Sequence, residues 1–118
     1  MTAQSDFVTV VRPCFEAFVA EGLIGAWGLT GIGHPDAIIE LLGDRPAPAV
    51  VQCIANAMDS PGALKFYDEP ARPRDIIAVA QENGVGVMGI RAVQAGALTD
   101  AIDRDLPPDH GKVRDFNQ

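Results

Sequence analysis

The chain has 118 residues, 47% hydrophobic and 21% charged, with sixteen acidic residues against nine basic and a net charge of −7. That is enough chain for one domain with a buried core, and its composition excludes a disordered segment. Its acidity excludes a nucleic-acid or anionic-membrane partner, because so few cations could not neutralise a row of phosphates.

No apolar run approaches the roughly 20 residues that span a bilayer. The opening stretch 1–13 has no basic region followed by an uninterrupted apolar run, so no signal peptide is expected. Cys14 and Cys53 read as small buried hydrophobes rather than as a disulfide framework, and the cytoplasm is the expected compartment.

Taken in chain order, three segments open with proline and close with glycine: Pro13 to Gly22, Pro35 to Gly43 and Pro73 to Gly84. Proline fits the first helical position, where its missing N–H would be unpaired anyway. Glycine fits just past the last, where the chain turns left-handed. Between these marks the apolar residues fall at helical spacing, giving the stripes Cys14-Phe15-Phe18-Val19, Ile38-Leu41-Leu42 and Ile76-Ile77-Ala80. Three amphipathic helices are predicted.

A short apolar run follows each closing glycine: Leu23 to Leu29, Ala49 to Ile54 and Val85 to Ile90. These runs do not alternate with polar residues, which fits parallel strands covered on both faces. Helix and strand in strict alternation make an α/β fold. Periodicity leaves a closed barrel and an open doubly wound sheet both standing, although Gly25, Gly28, Gly86 and Gly89 mark crowded interior positions that suit the barrel better. The stretch from Asn56 to Pro73 is a long loop with a turn at Asp59-Ser60-Pro61-Gly62, and the residues after Thr99 read as a loop or fraying end.

In a parallel sheet the C-terminal strand ends share one face, which places Thr30, Gly31, Gln52, Ile90 and Arg91 together. Gln52 stands out, because a glutamine within an apolar strand needs a partner or costs about 1–3 kcal/mol. A ligand amide is one such partner and a loop carbonyl another. The glycine-rich run from Gly28 to Gly33 fails the dinucleotide fingerprint: counted from Gly31, the third glycine position holds Asp36. It reads as a tight turn onto a helix. His34 and His110 have no companions at zinc-ligand spacing. Asp68, Glu69 and Asp75 read as solvated acids, Ser60 lacks a nucleophile elbow, and Cys14 lies on the stripe read as buried.

Three segments together resemble the aldo/keto reductase family. The run from Glu21 to Gly31 is similar to that family's fifth-strand segment, and Val50 to Asp59 to its next strand, in the form V-Q-x-x-x-N-x-x-[DE]. Gly84 to Thr99 is similar to the seventh strand and the small-x-x-G-x-L-T loop after it. Order and spacing agree over Pro13 to Thr99. The resemblance implies a partial (β/α)8 TIM-type barrel, with three parallel strands and three helices. Residues 1–118 would form a single partial domain with a recognisable core at 13–99 and a tail at 100–118.

It further implies NADP(H)-dependent reduction of aldehydes or ketones, with small carbonyl compounds as substrates. Thr30 and Gly31 match positions near the nicotinamide carboxamide, and Gln52 matches the glutamine that contacts that amide. Ile90 stands where many members place a stacking aromatic, and Arg91 replaces a common serine within reach of the cofactor phosphates. The family's tyrosine, aspartate, lysine and histidine come from the first four strands, and no match to them is found; Tyr67 lies in a late loop. The expectation is a truncated oxidoreductase segment without a catalytic set, completed by a second copy or a complementing barrel fragment. The alternative is a non-catalytic remnant or interaction module that oligomerises through its open sheet edge.

Overall fold

The computed structural model describes residues 3–100 and 107–110. The expected fraying of the tail falls mostly on residues outside that range. Helical backbone opens the chain as α1 (Ala3–Asp6), a π-helical segment (Phe7–Val11) and α2 (Arg12–Ala20). Pro13 lies in the first turn of α2, where the proline-to-glycine punctuation predicted a helix to open, but the backbone before it is already helical. The Arg12 N–H bonds to the Phe7 carbonyl five residues back. The wider π turn carries the helix to a proline that cannot donate, and backbone angles at Val11 and Arg12 stay helical.

The lead-in also changes which face is buried. Arg12 is buried, while Cys14 and Phe18 of the expected apolar stripe are exposed. Phe7 and Phe15 lie against buried Trp27, with ring centroids 5.8 Å and 6.0 Å away. The Trp27 indole N–H donates to the Glu16 carboxylate, so the helix rests on one tryptophan rather than on a broad stripe.

Two helices follow the reading closely: α3 (Pro35–Gly43) and α4 (Pro73–Glu82). Gly22 and Gly84 take φ of 73° and 70° after α2 and α4. In both places the next residue's N–H also reaches back, Leu23 to Phe18 at 2.9 Å and Val85 to Ala80 at 2.8 Å. That paired bonding is the left-handed glycine stop. Gly43 is different: it is the last residue of α3, and Asp44 turns extended at φ −87°.

The strands β1 (Gly28–Thr30), β2 (Val50–Ile54) and β3 (Gly86–Ile90) form one parallel sheet in the order β1-β2-β3. β1 is shorter than the apolar run from Leu23 predicted, since Leu23 is exposed and pairing with β2 starts only where Gly28 meets Val50. At Gly28 an added Cβ would lie 2.6 Å from the Val50 carbonyl oxygen, so that glycine is a crowded position as expected. Gly25 has open space around it and is not.

The core is Ile38 and Leu42 of α3, Val51 and Cys53 of β2, Ile76 and Ala80 of α4, and Val85. Both crossover helices thus pack on one face of the sheet, and the other face has no covering layer among the described residues. The expectation of strands covered on both faces is corrected to this extent. Sequential strand order with helices on one side is the arrangement of a barrel wall; a doubly wound sheet reverses direction and carries helices on both sides. The architecture is an α/β, partial TIM-type barrel.

Candidate functional site

Val51 and Cys53 point into the core, so Gln52 between them points to the bare face. Register sets Thr30 beside Gln52 on one side and Met88 beside it on the other. The row Thr30-Gln52-Met88 crosses the whole sheet. Thr30 is exposed, Gln52 half-buried and Met88 exposed.

The partner that Gln52 requires is a weak one. Its Nε2 lies 3.7 Å from the Met88 sulfur, and its side-chain oxygen accepts no hydrogen bond among the described residues. A thioether is a poor acceptor, so the carboxamide keeps most of its capacity for another group. Met88 was missed in the sequence, where a methionine in an apolar strand reads as filler.

Gly31 is buried, and its N–H donates to the Gln52 carbonyl at 2.7 Å. A Cβ there would sit 2.8 Å from that oxygen and 2.9 Å from a Val51 methyl. The glycine lets the chain leaving β1 hug β2 and so fixes the backbone behind Gln52. Ile90 pairs with Ile54, one step of the pleat beyond Gln52, and is half-buried. Four of the five candidates therefore gather at the C-terminal ends of adjacent strands.

Arg91 is the fifth, and it turns away from that row. Its φ is 57°, and its Nε donates to the Gln94 side-chain oxygen at 2.8 Å. Gln94 is 1% exposed, and its Nε2 donates to the Ser60 carbonyl at 2.9 Å. Asn56 lies in the same network. Its side-chain oxygen accepts from the Met58 and Ser60 N–H groups, and its Nδ2 donates to the Ser60 and Arg91 carbonyls. These two amides join the loops after β2 and β3. Asn56 entered the sequence reading only as the fixed asparagine of the V-Q-x-x-x-N-x-x-[DE] pattern and Gln94 was given no role, because nothing local shows which distant loop an amide will meet. The turn expected at Asp59 to Gly62 is present, with Asp59 at φ 51° and a short 3-10 helix over Gly62–Leu64.

The remaining polar residues make local contacts. His34 stands at the N-cap position of α3 without capping it by its side chain. Its ring lies 5.0 Å from that of Tyr67, and its Nδ1 is 3.6 Å from Glu69. Lys65 Nζ sits 5.8 Å above the Tyr67 ring. Burial, and secondarily the charge of Glu69, push the Tyr67 phenol above its ordinary range. A proton donor for neutral pH needs the opposite shift. Asp36 and Asp75 both pair with Arg72, at 2.6 Å and 2.8 Å. Cys53 is buried, and its thiol is pushed up by burial, with the charge of Asp59 adding to the shift. No cluster of His, Cys, Asp and Glu among the described residues could hold a metal ion.

Beside β1 runs a groove of about 530 Å³ lined by Phe7, Leu29, Thr30, Ile32, Ile38 and Leu41, among others. It is mainly apolar and touches the site row only through Thr30. No helix among the described residues is long and apolar enough to cross a membrane.

No curated protein and no solved structure matched the chain. The family model described as the aldo/keto reductase family matches residues 7–118, which takes in every strand, every helix from α2 onward and all five candidate residues. With a barrel-wall sheet and the expected segments in order along it, this chain belongs to the aldo/keto reductase family.

Proposed function

We propose that this chain forms the carboxamide-recognising side of an NADP(H) site in an oxidoreductase acting on aldehydes or ketones. The observation that carries the reading is the Gln52 carboxamide on the bare sheet face, held among the described residues only by a thioether and with Thr30 beside it in register. An amide ligand offers one donor and one acceptor, which match the two ends of Gln52. The donor set therefore fits a nicotinamide. Thr30, Gly31 and Gln52 would hold its carboxamide, Ile90 would present an aliphatic surface to the ring, and Arg91 would meet the phosphates. When bound, NADPH supplies a hydride to a carbonyl carbon.

What the chain's own residues do is bind and orient. Gly31 keeps the β1 exit close to β2, which fixes the height of Gln52. Among the described residues the one phenol, Tyr67 in the loop beyond β2, is shifted towards a weaker acid by burial and by the Glu69 charge, the opposite of an activated proton donor. Turnover then needs groups beyond the described residues to cover the bare face and bring the proton donor, and another copy or a complementing barrel segment is the source we propose. The test is NADPH titration of the purified chain, followed by Trp27 fluorescence and by melting temperature. Saturable binding that raises the melting temperature is expected, weakened about tenfold by Gln52→Leu. No binding by the unaltered chain would sink the reading.

A second reading has its own observation. Val87 and Met88 on the edge strand β3 are 37% and 52% exposed. An open strand edge with apolar side chains invites association. In that case the chain is a non-catalytic interaction module. Concentration-dependent sedimentation without any NADPH binding would favour it; a monomer that binds no hydrophobic dye would dismiss it.

A further inference from the structure

We propose that Gln94 is a positioning residue, whose buried carboxamide fixes the Arg91 guanidinium at the end of β3 so that it meets a phosphate-class anion of the bound ligand. This rests on the NADP(H) reading above and adds to it the residue that aims the arginine.

Burying a carboxamide is unfavourable unless both of its ends are bonded. Gln94, at 1% exposure, bonds both: Nε2 to the Ser60 carbonyl and Oε1 to Arg91 Nε. The bland account is that Gln94 merely stitches two loops together. Asn56 already does that, since its Nδ2 reaches the same Ser60 carbonyl at 2.8 Å and the Arg91 carbonyl at 3.3 Å. What Gln94 contributes beyond Asn56 is a side-chain contact to the guanidinium, at its Nε. A guanidinium is planar and rigid, so a bond at Nε on top of its tether sets the plane of the whole group.

The backbone is arranged around this contact. Arg91, Gln94 and Ala95 all have positive φ, at 57°, 50° and 56°. Side-chain-bearing residues rarely adopt that region, and three within five positions need surroundings that hold them there. The Gln94 N–H donates to the Arg91 carbonyl at 3.0 Å, so backbone and side chain both bind residue 94 to residue 91. The loop is shaped to bring one amide under one arginine, at the end of β3 where Ile90 pairs with Ile54.

The test uses the full chain and the variants Gln94→Leu, Gln94→Glu, Arg91→Met and the Gln94→Leu/Arg91→Met double variant. In the ligand-free chain the Arg91 Nε–Hε signal, assigned by its loss in Arg91→Met, should shift in Gln94→Leu. NADPH affinity should fall about tenfold in Arg91→Met and severalfold in Gln94→Leu. The double variant should be no weaker than Arg91→Met alone, because Gln94 acts through the arginine. Gln94→Glu, which keeps an acceptor in case the leucine variant does not fold, should retain the bound Nε–Hε signal yet weaken NADPH by neutralising the cation. Unchanged affinity in Gln94→Leu beside a weakened Arg91→Met, or full additivity in the double variant, overturns the positioning role and leaves the NADP(H) reading standing. An unaltered chain that binds no NADPH removes the reading itself, and the positioning role with it.

Discussion

The Arg12 guanidinium, nine-tenths buried on α2, meets the Asp44 carboxylate at 2.9 Å just beyond the end of α3. One of its terminal nitrogens, Nη1, is buried without a hydrogen-bond partner. A buried cation depends on its partner more than the partner depends on it. Asp44→Ala should therefore lower the melting temperature more than Arg12→Met, which replaces the cation with an apolar chain of similar length. Thermal unfolding of the two variants checks the order, and the reverse order would mean that the pair does not tie α2 to α3. The Arg45 N–H first, and Arg12 second, hold the Asp44 carboxyl below its ordinary range. A depressed carboxylate contributes stability above its unfolded pKa and loses it as the pH falls through the folded value. The unaltered chain should thus lose more stability than Asp44→Asn below about pH 4.

Gly31 and Gly28 are close-approach glycines, and Gly25 is their control. At Gly31 a Cβ would lie under 3 Å from both the Gln52 carbonyl and a Val51 methyl, and at Gly28 it would meet Val50 at 2.6 Å. Strands in this sheet cannot move apart without losing ladder bonds. Gly31→Ala should destabilise by about 1–3 kcal/mol, as overpacking does, and should weaken any ligand that Gln52 grips. Gly25→Ala, with open space at its Cβ, should be near neutral. Denaturant titration of both variants decides this, and equal stabilities would show that β1 is free to shift.

Local signals were the readable ones. Pro35 and Pro73 mark helix starts, Gly22 and Gly84 mark stops, and the structure follows them within a residue or two. These signals act through the backbone of a few neighbouring residues and need no tertiary contact. Pro13 lies in the first turn of α2 as well, but it does not mark where helical backbone begins, because the π segment before it is already helical. The first strand was overlong in the reading, because an apolar run becomes a strand only where a partner lies alongside. In the site, Gln52 was visible as the polar residue in an apolar run. The roles of Met88, Asn56 and Gln94 were not, since what each does depends on which other loop or strand the fold brings to it; Asn56 stood out only as a fixed position of a family pattern.

Asn56 should be the most sensitive residue of the loop after β2. Its one side chain accepts from the N–H groups of Met58 and Ser60 and donates to the carbonyls of Ser60 and Arg91. Asn56→Ala leaves these groups without that partner, at a cost of about 1–3 kcal/mol. Asn56→Asp keeps the acceptor but loses the donor, so the bonds to the Ser60 and Arg91 carbonyls are lost while those from the Met58 and Ser60 N–H groups are kept. Hydrogen exchange at Met58 and Ser60 should quicken in the alanine variant and change little in the aspartate variant. Equal exchange in both would place the control of this turn elsewhere.

Tyr67 is the only tyrosine in the chain, so its ionisation can be followed directly by phenolate absorbance. Burial raises its pKa first, and the Glu69 charge raises it further. The midpoint should therefore lie above about 10, the ordinary phenol value. Glu69→Gln should bring it down only in part, because the larger cause is burial. An acid whose folded pKa is raised binds its proton more tightly in the folded state, so stability is full below the unfolded value and falls as the pH climbs through the folded one. Tyr67→Phe should remove that alkaline loss. A midpoint below 10 would reverse the conclusion: Lys65 and His34 would then be activating the phenol, and the cluster at the start of α3 would have to be counted as a proton-donor site within this chain.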